Sequence, residues 1–238
     1  MAQPIDKTAR PVAPRPSSAT SDIADFVAKV GQLGRPSGGG ERGRLLFALD
    51  ATMSRQPTWD LAVGLQAEMF SAIPRDRALD VQLLYFRGHG ECRSSKWVAD
   101  PEALARIMST IACRGGNTQI SKVFAHARRA QAERRLNAVI YVGDAIEESV
   151  DDLCHKAGEL GLLGVPMFVF QEGHDTRVEA AFREFARLTK GAYARFDPGA
   201  PRQLADLLRA VAAFASGGRD QLKLETSAPA RALLAQLK

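Results

Sequence analysis

Leu45-Leu46-Phe47-Ala48-Leu49-Asp50-Ala51-Thr52-Met53-Ser54 decides the reading of this chain. The first five residues form an unbroken apolar run of strand length, the pattern of a strand buried on both faces. The loop that follows carries a carboxylate at Asp50 and hydroxyls at Thr52 and Ser54, at alternate positions. Carboxylate, hydroxyl and water oxygens are ligands for hard divalent cations such as Mg²⁺, Mn²⁺ and Ca²⁺. Asp, Thr and Ser also gather wherever a strand gives way to a turn, so the pentapeptide is weak evidence by itself. Two later stretches strengthen it. Gly115-Gly116-Asn117-Thr118 brings a third hydroxyl to the start of an expected helix, and Val139-Ile140-Tyr141-Val142-Gly143-Asp144 brings a second carboxylate to the end of another apolar strand. Five oxygen ligands on three loops read as one metal site.

Outward from this strand, strand and helix patterns alternate. Strands are expected at 45–49, 79–86, 136–142, 165–170 and 192–196, with a more polar edge strand at 91–98 after Gly88-His89-Gly90. Helices are expected at 59–73, stopping at Pro74, and at 101–111, with Asp100 as N-cap and Pro101 in the first turn. Further helices are expected at 118–135, 149–163, 176–189 and 201–215. Apolar strands separated by amphipathic helices indicate a doubly wound α/β fold, a mostly parallel sheet with helices on both faces. Ligands of such folds sit beyond the carboxyl ends of the strands, where strand order reverses. If the strands ending in Asp50 and Asp144 flank that point, both carboxylates and Thr118 meet in one crevice.

The flanks have a different character. Residues 1–20 are rich in Pro, Ala and Ser and are expected to be disordered. Residues 21–34 are expected to form a short helix with Ile23, Phe26, Val27 and Val30 on one face, and 35–43 a Gly/Pro linker. The main domain is expected at 44–216 and a polar tail at 217–238, which ends in a short amphipathic stretch. At 238 residues and 45% hydrophobic, the chain has length for one substantial core. No segment reaches the ~20 apolar residues of a membrane span. The N-terminus has no apolar signal region, and Cys92, Cys113 and Cys154 are odd in number, so a cytoplasmic location with reduced thiols is expected. The net charge of +5 is modest and spread out, and does not indicate nucleic acid.

With these residues in place, the chain resembles a von Willebrand factor A domain. That family carries a metal-ion-dependent adhesion site (MIDAS) built from Asp-x-Ser-x-Ser, a distant Thr and a distant Asp. The match here is Asp50, Thr52 and Ser54, then Thr118, then Asp144, over roughly residues 44–216. Thr52 stands where Ser is usual, and Gly143 where Thr often precedes the last Asp. The resemblance implies an intracellular, bacterial-type member holding Mg²⁺ (or Mn²⁺ or Ca²⁺), with an open position for a carboxylate from a protein partner. It implies a binding module and not an enzyme.

Other readings compete. A metal-independent scaffold would act through its terminal segments. A haloacid-dehalogenase-like phosphohydrolase also begins with a strand ending in Asp, and Gly143-Asp144 with Glu147 and Glu148 suits it. That family, however, places a second acid where Thr52 stands, and a threonine hydroxyl delivers no proton at neutral pH. Lys122, Arg128, Arg129, Arg134 and Arg135 read as a solvated helix face with no aromatic residues for stacking. His89 with Cys92, and Cys154 with His155, lack the second pair of a zinc site. Trp59 is expected in a helix start or a partner surface, and Glu147 and Glu148 as caps of the helix that follows them.

Overall fold

The computed structural model describes residues 42–71, 78–197 and 201–222. Six strands form one sheet: β1 (Gly43–Asp50), β2 (Leu79–Arg87), β3 (Glu91–Ser94), β4 (Ala138–Gly143), β5 (Met167–Glu172) and β6 (Ala192–Phe196). Their order is β3-β2-β1-β4-β5-β6. All pairings are parallel except β2 with β3, a hairpin in which Phe86 faces Cys92. Five α-helices lie between the strands, α1 (Gln56–Ser71), α2 (Pro101–Ser109), α3 (Ile120–Glu133), α4 (Val150–Leu162) and α5 (Thr176–Leu188), and α6 (Pro201–Leu222) follows the last one.

Every residue of β1 is buried, as its unbroken apolar run requires. Alternate residues feed two cores. Leu45, Phe47 and Leu49 pack with Trp59, Leu104, Met108, Leu208 and Val211 on one face. Leu46 and Ala48 pack with Phe124, Tyr141, Leu160, Phe182 and Phe185 on the other. Thus α1, α2 and α6 cover one face and α3, α4 and α5 the other. This is the doubly wound α/β fold read from the sequence.

Local chemistry sets the helix starts. Asp100 caps α2, its carboxylate accepting from the Ala103 amide at 2.8 Å, and Asp175 caps α5 by accepting from Arg177 and Val178. Several expected boundaries move by a few residues, and three of the shifts have a visible cause or consequence. The edge strand ends at Ser94, and Val98 returns only as an isolated bridge to Val81. Helix α3 starts at Ile120 rather than Thr118, because Thr118 is held by another loop. The helical segment α6 passes Ala215 but breaks at Gly218, whose φ of 69° and ψ of -158° are not helical, and a second short helical stretch leads to Leu222. The expected tail 1–20, the helix 21–34, the linker up to residue 41 and the chain beyond 222 lie outside the described residues.

Candidate metal centre

The switch point of the sheet lies between β1 and β4, which pair with Leu49 opposite Val142. From β1 the chain winds outward to β2 on one side, and β4 opens the other half. Asp50, the last residue of β1, and Asp144, the first beyond β4, therefore leave the sheet side by side. The five residues Asp50, Thr52, Ser54, Thr118 and Asp144 line one cavity of about 190 Å³, together with Gly115, Gly116 and Glu147. The loops that composition and spacing single out do converge.

A chain of hydrogen bonds runs through them. Asp50 Oδ1 accepts from the Thr52 amide at 2.8 Å. The Thr52 and Ser54 hydroxyls are 3.3 Å apart, and Ser54 Oγ donates to Asp144 Oδ2 at 3.2 Å. Thr118 is gripped by Glu147: its amide donates to Glu147 Oε2 at 2.7 Å, while its Oγ1 accepts from the Glu147 amide at 3.0 Å. That reciprocal pair fixes the hydroxyl and leaves it a free lone pair.

Two carboxylate oxygens are left over. Asp50 Oδ2 and Asp144 Oδ1 are buried and have no hydrogen-bond partner. Such atoms are costly unless something fills their coordination. Asp50 is 2% exposed. Burial pushes its pKa up to about 6 from 3.8, with the charge of Asp144 adding to the effect and the hydrogen bonds from Thr52 opposing it. Two unpartnered anionic oxygens beside three hydroxyls fit a hard divalent cation, whose ligands are oxygens.

Glu147 and Glu148 act differently from the expectation. Ser149 caps the helix that follows them, accepting from the Asp152 amide. Glu148 instead reaches back to α3, accepting from the Ile120 amide at 2.6 Å and the Ser121 amide at 2.9 Å. The loop after β4 thus anchors the loop that carries Thr118. Glu148→Ala strips two amides of their acceptor and is expected to cost about 1–3 kcal/mol. Urea denaturation checks this; an unchanged midpoint would mean that solvent replaces the cap.

Other expected features resolve plainly. Trp59 is packed in the core, its Nε1 donating to Met108 O at 3.2 Å, so it forms no partner surface. Arg128 pairs with Glu159 and Arg134 with Asp80, as on a solvated helix face. Cysteine–histidine pairing gains no ligands: among the described residues no three His, Cys, Asp or Glu side chains cluster as a metal site. The cavity described above draws on hydroxyls instead.

Sequence reasoning missed Arg55. It follows the Asp50–Ser54 loop directly and lies in a short 3₁₀ turn, Met53–Arg55. A charged residue after a polar loop reads as solvent-facing, yet Arg55 is 1% exposed. Its Nη1 is in ion-pair contact with Glu172 at the end of β5, though outside hydrogen-bond geometry, and Glu172 Oε2 also accepts from Thr58 Oγ1.

No family model matches the sequence, and no curated protein matches it. Solved structures do match. A von Willebrand factor type A protein from Catenulispora acidiphila superposes with a TM-score of 0.61 at 15% identity, covering 74% of this chain and 43% of that one. The SpRpn10 VWA domain gives 0.55 at 14% identity, covering 71% of this chain and 94% of that one. Proximal thread matrix protein 1 from the mussel byssus, in a form with a zinc-occupied MIDAS motif, gives 0.58 at 12% identity, covering 75% and 48%. The chain therefore spans less than half of two of these proteins and nearly all of the third. With six strands in a mostly parallel sheet clad by helices, it has the fold of a von Willebrand factor A domain.

Proposed function

We propose that this chain is a metal-ion-dependent protein-interaction module. Asp50, Thr52, Ser54, Thr118 and Asp144 would hold Mg²⁺, with Mn²⁺ or Ca²⁺ as substitutes. The observation that carries the reading is the pair of unpartnered buried oxygens, Asp50 Oδ2 and Asp144 Oδ1, in the cavity shared with the three hydroxyls. The bound cation would supply an electrophilic position for a carboxylate from the partner. Hydroxyl ligands carry no charge, so a site with two carboxylates leaves the ion more attractive to an incoming Asp or Glu than an all-carboxylate cage. The mussel protein, with zinc in its MIDAS motif, supports the idea that this fold holds a metal at such a motif.

The residues of the chain have positional roles. Asp50 and Asp144 attract the cation, and Glu147 fixes the Thr118 hydroxyl. Met53, 60% exposed on the cavity rim, offers an apolar contact to whatever docks there. The reading is of a binding site with no reaction of its own. Among the described residues no helix is long and apolar enough to cross a membrane, and Cys92, Cys113 and Cys154 are free thiols. Free thiols suit a reducing compartment, so the proposal places the protein in the cytoplasm.

The test is an affinity capture from native extract, with Mg²⁺ or with EDTA, using wild type and Asp144→Ala. The fold is expected to survive the change, because Asp144 lies on a surface loop. A protein retained only by wild type in Mg²⁺ is the expected result. Capture indifferent to metal and to the substitution would overturn the reading and move binding to the terminal segments.

A further inference from the structure

Tyr141 is wholly buried, and its hydroxyl has no hydrogen-bond partner. A buried phenol ordinarily finds one, because a stranded polar group is costly. The ring itself is well placed. It stacks on Phe86 at 6.4 Å between centroids and meets Phe182 edge-on at 5.5 Å, inside the core under α3, α4 and α5. A phenylalanine would serve that packing equally well, so packing does not account for the oxygen.

The register of the sheet shows what the oxygen faces. Ala48 of β1 lies opposite Tyr141 of β4, and both point into the same core. Side chains alternate along a strand, so two residues further on Asp50 and Gly143, the last residues of these neighbouring strands, point the same way. Gly143 has no side chain, and the Tyr141 hydroxyl takes that place: a Cβ built on Gly143 would lie 2.6 Å from it. The hydroxyl is thus set about one strand spacing, roughly 4.8 Å, from the Asp50 side chain. Asp50 Oδ2 is itself buried without a partner. A donor lacking an acceptor lies beside an acceptor lacking a donor. No direct bond joins them, and buried polar groups held just beyond hydrogen-bond reach are where proteins keep an internal water.

We infer that Tyr141 is a positioning residue of the metal site: its phenol, lodged in the side-chain slot of Gly143, donates through one buried water to Asp50 Oδ2 and so aims that carboxylate at the cation. The inference rests on the metal-binding reading above and adds to it a residue that touches no metal. Outer partners of this kind fix the orientation of a ligand and raise the affinity for the ion. Phe86 and Phe182 grip the ring from two sides, so the donor is in place before an ion arrives.

Tyr141→Phe keeps the ring and removes one oxygen. Mn²⁺ is titrated calorimetrically into wild type and this variant. Thermal unfolding in EDTA is followed for both, for Asp50→Ala and for the double variant. An idle hydroxyl predicts that its removal relieves a stranded group: the unfolding temperature stays or rises, and Mn²⁺ binding is unchanged. A hydroxyl that serves Asp50 predicts the opposite, a lower unfolding temperature in EDTA and Mn²⁺ binding weakened about tenfold or more. The loss in EDTA should vanish when Asp50→Ala has already removed the acceptor. Unchanged Mn²⁺ affinity, or equal temperature shifts with and without Asp50, overturns the inference. If wild type takes up no Mn²⁺ at millimolar concentration, the metal-dependent reading falls. Unequal shifts in EDTA would then still uphold the link between Tyr141 and Asp50, and equal shifts would sink it as well.

Discussion

In EDTA at neutral pH, Asp50→Asn is expected to unfold at a higher temperature than the wild-type chain, and to gain nothing when Mg²⁺ is added. The cause is the state of the wild-type carboxylate. One oxygen accepts from the Thr52 amide and the other accepts from nothing, at 2% exposure. Burial, the leading cause, raises its pKa from 3.8 to about 6. Between those values the folded chain holds a proton that the unfolded chain has released, so stability falls as pH rises through this window. Above it the full penalty applies, and a shift of about two units is worth about 3 kcal/mol. Asparagine carries no charge, keeps an acceptor for Thr52, and escapes the penalty. Unfolding followed against pH checks the sign. The gap between the two proteins should open as pH climbs past the window and close below 3.8. A gap of the same size at both ends would show that the gain has nothing to do with charge. Such a trade of stability for a ligand site is common where function demands unpaired groups.

Gly116→Ala is expected to be the most damaging single change in the loops of the site. A Cβ at this position would lie 2.2 Å from Gly88 O and 2.3 Å from Gly88 Cα, a clash with main chain that no rotamer change relieves. Gly88 turns the hairpin between β2 and β3 with φ +60°, and its carbonyl accepts from the Asn117 amide at 3.2 Å. On its other side the loop is tied to the Asp50–Ser54 loop, with the Arg114 amide donating to Ala51 O at 3.0 Å. Held at both edges, the segment cannot shift without carrying Thr118 away from the two carboxylates. Overpacking of this kind costs about 1–3 kcal/mol and occasionally more. The substitution should lower the urea midpoint accordingly and weaken Mn²⁺ binding by about tenfold or more, the loss of one ligand hydroxyl. Gly115→Ala is the control, since the space around Gly115 is open. Equal behaviour of the two variants would mean that the clamp on the loop does not hold Thr118.

The parts legible in sequence were those that depend on local pattern. The run Leu45–Leu49 and the run Val139–Val142 could be read as buried strands because their neighbours in sequence are all apolar. A parallel sheet brings their carboxyl ends to one edge, so Asp50 and Asp144 meet once the two strands are neighbours, a pairing of β1 with β4 that local pattern does not supply. What remained hidden depends on contacts far apart in the chain. Glu148 caps α3 across 28 residues, and no pattern near it points there. Arg55 follows a polar loop in sequence, yet it is buried in contact with Glu172, which lies at the end of β5. The Gly217-Gly218 pair reads as a helix stop, and the helical backbone does break at Gly218 (φ 69°, ψ -158°), with a further short helical stretch up to Leu222 beyond it.

Gly43 gives the molecule a polarity. A side chain there would strike the carbonyl of Ala215 at 2.4 Å, so the opening of β1 and the lower part of α6 touch main chain to main chain. Arg42 and the final turns of α6 consequently occupy the same pole. The cavity of Asp50 lies at the opposite pole, a strand's length of about 25 Å away. A fluorophore or surface anchor attached at Arg42 would therefore stand a strand's length from the cavity rim.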